Sequence, residues 1–186
     1  IFNFFNDATT SSMTAIINNA ALLKKIYVPK YLFVLARIFS SFINLMASFT
    51  ALLLVMVAVR AELHWTLFLS WFPLLMVVVF SLGVGMLLAA LTVRFRDIMH
   101  LYSVFTTGLM YLTPVIYPMS MLPDRIRSIV LLNPLTNYLE MFRNLAFYNT
   151  LPSFSSVVVG GLEGAAAIVL GVYVFYKNQD EFILNI

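Results

Sequence analysis

The sequence predicts an all-α, polytopic integral membrane protein: a helical bundle with a re-entrant helical hairpin before its last membrane span. Composition decides the class, because 62% of the residues are hydrophobic and only 10% are charged, against about 25% charged residues in a soluble domain. The hairpin is predicted by the prolines after residue 98, which leave apolar pieces too short to cross a hydrocarbon core of roughly 30 Å. Irregular backbone at that depth is tolerated only where protein or water satisfies it, so this stretch indicates a pathway.

Charge and cysteine content exclude several other classes. The net charge of +3 comes from scattered Lys and Arg residues without a long basic run, which favours loops facing anionic membrane lipid and predicts no nucleic-acid partner. The absence of cysteine excludes disulfides and thiolate metal sites. The chain starts at Ile1 with neither Met nor a basic leader, and we therefore expect a fragment whose N-terminal part is missing.

Residues 1–18 carry a polar stripe at steps of three and four residues, which places its members on one helix face. The stripe consists of Asn3, Asp7, Thr10, Thr14 and Asn18. A solvated surface helix would show the same pattern. In so apolar a chain, the pattern favours the end of a membrane helix whose stripe faces a cavity or channel.

Residues 19–30 form a short basic segment between two membrane helices. Its lysines predict a cytoplasmic loop by the positive-inside rule, and Pro29 ends any helix before the next one starts. The lysines are Lys24, Lys25 and Lys30.

Three long membrane helices are predicted from hydrophobicity, at residues 31–59, 67–93 and 154–176. The charge-free part of the first, residues 38–59, is about 33 Å long as a helix, enough to span the bilayer. Small residues in the second favour close packing against a neighbouring helix. These are Ser81, Gly83 and Gly85.

Between the second and third of these helices, residues 98–118 are predicted as a shorter membrane helix and residues 119–152 as the outer re-entrant hairpin. Within the hairpin, Asn133 followed by Pro134 is a good helix start, with the Asn side chain as the cap and Pro at the first helical position. Residues 177–186 are predicted as a cytoplasmic tail.

Polar side chains beyond this start share one face of the hairpin helix: Thr136, Glu140 and Arg143. An ion pair between Glu140 and Arg143 would let that face dip into the membrane; the alternative is a direct role in guiding an anionic or sugar substrate. Glu163 is a carboxylate inside a span. It either lies near the outer interface, pairs with an arginine such as Arg143, or contacts polar cargo.

Aromatic residues crowd the hairpin and the helix before it. They are Tyr102, Phe105, Tyr111, Tyr117, Tyr138, Phe142, Phe147 and Tyr148. An interfacial belt explains most of them, and a minority would line a conduit, because flat rings stack on sugar faces. The candidate gate or pathway residues are therefore Tyr111, Pro114, Tyr117, Pro118, Asn133, Pro134, Thr136, Tyr138, Glu140, Arg143 and Glu163.

No set of catalytic residues is recognisable in the sequence. There is no P-loop motif, so any ATP dependence would come from a partner, and we expect this chain to bind no cofactor. The isolated His64 and His100 lack a companion at metal-ligand spacing. The sequence therefore predicts a membrane protein that is not itself an enzyme.

Four motifs in a fixed order carry a resemblance to a known family. They are KKIYVPK at 24–30, RFRD at 94–97, TPVIYP at 113–118, and NPLT at 133–136 with Arg143. In these motifs the chain resembles the permease subunits of ABC type-2 exporters for polysaccharides and polyol phosphates, the group that exports O-antigen, capsule and teichoic acid. The similarity covers essentially all 186 residues.

The resemblance implies a six-helix permease that forms a homodimer in a bacterial cytoplasmic membrane, each copy binding one cytoplasmic ATPase subunit that carries ATP and Mg²⁺. Residues 1–18 would then end the second membrane helix, and 119–152 would form outer gate helices that open a path for a lipid-linked glycan. The segment 19–30 would couple to the ATPase. Its candidate residues are Leu23, Lys24, Lys25, Ile26, Tyr27, Pro29 and Lys30.

Two other classes stay open at this point. The first is an ABC type-2 permease for a drug or lipid, which shares the fold but does not need the aromatic-rich hairpin. The second is a non-transport membrane scaffold or an intramembrane enzyme, which the lack of a catalytic set disfavours.

Overall fold

A computed structural model describes residues 1–26, 28–61, 64–115, 117, 119–179 and 182, with the backbone alone at 120 and 124. In this part of the chain all regular secondary structure is helical, so the predicted all-α class is confirmed. The helices are α1 (Phe2–Asn18), α2 (Ala20–Leu23), α3 (Tyr31–Ala58), α4 (Thr66–Leu69), α5 (Trp71–Arg94), α6 (Ile98–Leu112), a 3₁₀ turn (Met119–Met121), α7 (Asp124–Leu131), α8 (Pro134–Ala146) and α9 (Phe154–Asn178).

Three helical stretches among the described residues are long and apolar enough to cross a membrane: Tyr31–Ala58, Thr66–Arg94 and Phe154–Asn178. They lie at the three positions where hydrophobicity predicted long spans. The middle stretch begins earlier than predicted, with the short helix α4, and α9 continues to Asn178 into the predicted tail. The chain is thus a multi-pass helical membrane bundle.

Helix α5 lies at the centre of this bundle. It contacts α1, α3, α6, α8 and α9. In the most apolar 18 residues of the stretch Thr66–Arg94, 50% are buried, whereas the corresponding parts of α3 and α9 are 22% and 17% buried. The outer helices therefore expose apolar side chains, as expected where the surroundings are lipid rather than water. Around α5, the described core includes Phe5 of α1, Val34 of α3 and Tyr138 of α8.

The crossing of α5 and α9 is the tightest contact in the bundle, and glycines create it. A Cβ atom added at Gly171 would lie 2.0 Å from the carbonyl oxygen of Gly83, and one added at Gly83 would lie 2.2 Å from the carbonyl carbon of Ala167. No side chain fits at either position. The predicted role of Gly83 in close helix packing is confirmed, and its partner surface is α9.

Helix α6 is shorter than predicted. It ends at Leu112 rather than reaching residue 118, and Thr113 is extended with ψ near 124°. The cause is Pro114, because proline disfavours the α conformation at the preceding residue and lacks the N–H needed to continue the helix. The chain therefore leaves α6 one residue before the proline and turns towards the hairpin.

Two ends of the bundle are defined by contacts. At the hairpin end, the hydroxyl of Thr66, the first residue of α4, donates to the carbonyl oxygen of Leu145 near the end of α8 at 2.9 Å, and α9 begins there. At the opposite end, Lys30 Nζ donates to the carbonyl oxygen of Gln179 beyond α9. The basic segment and the hairpin thus lie at opposite ends of the described bundle.

Candidate functional site

The start of α8 joins the hairpin to the end of α6. Asn133 Oδ1 accepts a hydrogen bond from the Leu135 N–H at 3.1 Å, with Pro134 at the first helical position, which confirms the predicted cap. The Asn133 amide also donates to Thr113 Oγ1 at 2.8 Å. One side chain therefore begins α8 and fixes it to the residue at which α6 stops.

Arg143, further along α8, also joins this helix to the turn after α6. Its Nη1 lies 3.2 Å from Glu140 Oε1, which confirms the ion pair expected between them, and its Nη2 donates to the Val115 carbonyl at 3.0 Å. The alternative that Arg143 pairs with Glu163 is wrong. Arg143 instead binds Glu140, one turn away on the same helix, and the Val115 carbonyl in the turn after α6.

The other face of α8 packs on a glycine cluster of α9. Tyr138 is fully buried, and its hydroxyl donates to the Gly160 carbonyl at 2.8 Å. The Asn137 amide donates to the Ser156 carbonyl at 3.0 Å. Glycine at 160 permits this approach, because a Cβ there would lie 3.0 Å from the Tyr138 ring. Polar side chains of α8 thus reach backbone carbonyls of a membrane helix.

Glu163 lies beside this contact, within electrostatic range of Asn137 and Tyr138. Its Oε2 is buried without a hydrogen-bond partner among the described residues, as is the hydroxyl oxygen of Thr136. Thr136 is also fully buried, so it does not share an accessible face with the half-buried Glu140 and Arg143. Of the predicted polar face, only that pair borders open space.

The remaining gate candidates lie around the turn after α6. Tyr111 is 72% exposed, while Pro114 is buried and Tyr117 is half-buried. The Tyr117 hydroxyl donates to the Tyr111 carbonyl at 2.6 Å. Pro118 lies outside the described residues. A role of these residues in a pathway remains a prediction.

The polar stripe of α1 is divided between two grooves. Asn3 and Asp7 face α3 in a groove of about 250 Å³, where Ser41 Oγ donates to Asp7 Oδ2 at 2.5 Å. Thr10 and Thr14 face α6 in a second groove of about 230 Å³. The other lining residues of that second groove are Asn6, Met13, Met99, Tyr102, Ser103 and Thr106. The sequence predicted a single face, and the neighbouring helices separate it.

The basic segment carries a small helix, α2, held by one apolar side chain. Leu23 is buried, whereas Lys24, Lys25, Ile26 and Pro29 are exposed, and Tyr27 lies outside the described residues. Lys30 is turned inward, with Nζ 5.7 Å from the ring centroid of the buried Phe182. The segment therefore presents an accessible basic surface and is tied to the end of α9 through Lys30.

Several contacts at the site were missed by sequence reasoning. Tyr102 donates to Thr9 Oγ1 at 2.7 Å, joining α6 to α1, and Asn137 and Thr113 hold α8. The signal for Asn137 is present in the sequence, because an amide in an apolar helix needs a partner and the glycines at 160, 161 and 164 mark a surface that admits one. The partner of Thr113 has no comparable signal, since it depends on the path of the turn.

Most of the chain matches a known protein family. Residues 1–147 match the model described as ABC-2 type transporter. The chain belongs to the ABC-2 type transporter family. It is therefore a multi-pass protein of the bacterial cytoplasmic membrane, of a family whose members are transmembrane subunits served by a separate ATPase subunit.

Curated relatives of this ABC-2 chain cover nearly all of it. Two are O-antigen export system permease proteins RfbA of Klebsiella pneumoniae, 23% identical over 185 residues and 24% identical over 186 residues; each alignment covers 97% of this chain and 70% of the relative. A third is RfbA of Myxococcus xanthus, 24% identical over 185 residues, with 98% of this chain and 71% of the relative covered. The alignments include α9, which lies beyond the family match.

Proposed function

We propose that this chain is the membrane-spanning subunit of an ATP-driven exporter that moves a lipid-linked polysaccharide or polyol phosphate polymer across the cytoplasmic membrane. The observation that carries the proposal is the polar groove between α1 and α6, found in an ABC-2 chain whose curated relatives are named for O-antigen export. Its lining supplies neutral hydroxyl and amide groups within a membrane bundle. Such groups match the hydroxyl-rich surface of a glycan.

The chemistry of this groove suits passage rather than tight retention. Asn6, Thr10 and Ser103 present donors and acceptors without formal charge, so a sugar exchanges its hydrogen bonds with water for similar ones with protein. Each exchange is worth little in net free energy. A polymer that must keep moving is served by many such weak contacts.

The proposed export complex contains other subunits. It contains two copies of the permease and a separate cytoplasmic ATPase that carries ATP and Mg²⁺, while the permease itself binds no cofactor and catalyses no reaction. Support for the division of labour comes from the family, whose members are served by a separate ATPase subunit. The chain's own contribution is the path and its gate, assigned to α6 and the hairpin of α7 and α8.

Coupling to the ATPase is proposed for the exposed residues after α2. Lys24 and Lys25 lie at the end of the bundle opposite the hairpin, on a segment tied to α9 through Lys30. A basic surface of this kind pairs with acidic side chains of a partner. Movement of the partner would then reach both α3, which begins directly after Lys30, and α9.

The test of this proposal reverses the charge of the coupling surface. In the full-length permease with its ATPase, Lys24→Glu combined with Lys25→Glu is expected to lower substrate-stimulated ATP hydrolysis and surface glycan at least tenfold, while the permease remains in the membrane. Lys177→Glu at the same end is the control, because Lys177 is exposed but lies on α9. Normal stimulated hydrolysis in the double variant would contradict the assignment.

A lipid exporter of the same family is the second candidate. The observation in its favour is an apolar groove of about 720 Å³ between α3 and α5, which includes Leu35, Phe39 and Leu82 in its lining. Depleting the permease in the native cell separates the two candidates. If the cargo is a glycan, lipid-linked glycan accumulates on the cytoplasmic side. If the cargo is a lipid, a glycan-free lipid accumulates there instead.

A further inference from the structure

Helix α7 is the most exposed helix at the hairpin end of the bundle. Among its described side chains only Val130 is buried, at 1% exposed, whereas Ile126 and Ile129 are 46% and 58% exposed. Leu132, directly after the helix, is 80% exposed. In this chain α7 therefore presents an apolar surface that the described residues of the bundle leave uncovered.

The two arginines of α7 flank this apolar surface. At about 100° per residue, the exposed Ile129 and Ile126 lie about 60° apart, with the buried Val130 about 40° beyond Ile126; Arg125 and Arg127 lie on either side of these three residues, about 200° apart. Both arginines are exposed. Leu131 is also exposed, at 56%, but lies on the opposite face of the helix, about 160° from Ile129 and outside the arc that the arginines border.

This arrangement is that of a helix lying in the plane of a membrane surface. Apolar residues of such a helix enter the acyl region to a depth of about 5–10 Å, while long cationic side chains at the borders extend to the headgroups. A guanidinium group binds phosphate oxygens through paired N–H donors. The charge of Arg125 and Arg127 is complementary to anionic phospholipid.

We propose that α7 is a lipid-binding arm of the hairpin: Ile126 and Ile129 enter the outer leaflet, and Arg125 and Arg127 bind the phosphates of anionic phospholipids such as phosphatidylglycerol. The inference rests on the proposed function in one respect, the outward placement of the hairpin. It goes beyond that function because it assigns a partner, the lipid surface, to the arm that packs chiefly on α8.

The test uses a local probe on α7. Because the 186 residues contain no cysteine, Ile129→Cys places a single site for a fluorophore within them, and Leu131→Cys on the opposite face is the matched control. The labelled full-length permease with its ATPase is placed in phospholipid nanodiscs. We expect brominated acyl chains to quench the probe at 129 and aqueous iodide to quench the probe at 131.

The arginines are tested with the same probe at 129. Brominated phosphatidylglycerol is expected to quench it more strongly than brominated phosphatidylcholine, and Arg125→Gln with Arg127→Gln should reduce the local preference for phosphatidylglycerol about fivefold per arginine. Arg94→Gln with Arg96→Gln, at the other end of the bundle, should leave the preference unchanged.

Three results would overturn the inference. The first is quenching by iodide at both positions. The second is protection of the 129 probe from both iodide and brominated lipid, which would indicate a second protein copy on this face. The third is equal quenching by brominated phosphatidylglycerol and brominated phosphatidylcholine. None of these measurements requires ATP or cargo. Failure of the lipid-binding role is therefore distinguishable from failure of the export proposal.

Discussion

The two helices of the hairpin, α7 and α8, are neighbours in sequence but differ in how the bundle holds them. Helix α8 buries six residues, among them Tyr138 and Met141, and is held by polar bonds to α6 and α9. Helix α7 buries only Val130 among its described side chains. The hairpin therefore has one fixed arm, α8, and one arm, α7, whose surface faces outward.

The cause of this difference lies in the partners available to each arm. A close approach to α9 is possible because glycines at 160 and 164 leave room for the Tyr138 side chain, and buried carbonyls there accept its hydrogen bond. Among the described residues, helix α7 contacts the rest of the bundle chiefly through α8. Substitutions in α8 should therefore affect folding far more than equivalent ones in α7.

The largest effect is expected from filling the space between α8 and α9. Gly160→Leu would force its side chain into Tyr138, Asn137 and Met141, whose nearest atoms lie 3.0–3.3 Å from a Cβ placed there, at a cost of about 3 kcal/mol. Gly161→Leu is the matched control, since its Cβ meets nothing closer than 4.0 Å. Thermal unfolding in detergent measures both. Equal melting temperatures would refute the fixed-arm description.

A smaller effect is expected from removing the bond between α8 and the turn after α6. Arg143→Ala loses the ion pair with Glu140 and the bond to the Val115 carbonyl, for about 2 kcal/mol. We also expect lower glycan export with the dimer retained. Arg127→Ala on α7 should change detergent stability by less than about 0.5 kcal/mol. Matching losses for the two variants would remove the distinction between the arms.

The smallest effect is expected from deleting one buried hydroxyl. Tyr138→Phe keeps the packing of the ring but removes the hydroxyl that donates to the Gly160 carbonyl, a loss of about 1 kcal/mol. Tyr111→Phe alters an exposed ring and should be neutral. Denaturation in mixed micelles compares the two variants. A neutral Tyr138→Phe would show that packing alone holds α8.

Much of the fold was predictable because membrane helices follow local rules. Length and hydrophobicity located the three long spans, and the dipeptide at Asn133 and Pro134 located the start of α8, since a cap is formed by adjacent residues. The ion pair between Glu140 and Arg143 was predictable for the same reason, their spacing on one helix. The early end of α6 was also predictable, because the residue before Pro114 disfavours the helical conformation. The prediction of a helix to residue 118 overlooked this rule.

The contacts that position the candidate site were less predictable. The Asn133 bond to Thr113 and the division of the α1 stripe between two grooves depend on where distant helices lie, and spacing along one helix carries no such information. Glu163 shows the limit clearly. Its charge and position suggested an arginine partner, but Arg143 binds Glu140 and the Val115 carbonyl after α6 instead.

The near contact between Gly83 and Gly171 has a mechanical consequence. Sliding one helix along the other would bring side chains into a space that holds only backbone atoms. Helices α5 and α9 should therefore move as one rigid unit. Helix α3 contains no glycine and packs less closely on α5 than α9 does, so the bundle yields more easily there. A structural change that begins at Lys30 would therefore move α9 together with α5, whereas α3 shifts more independently.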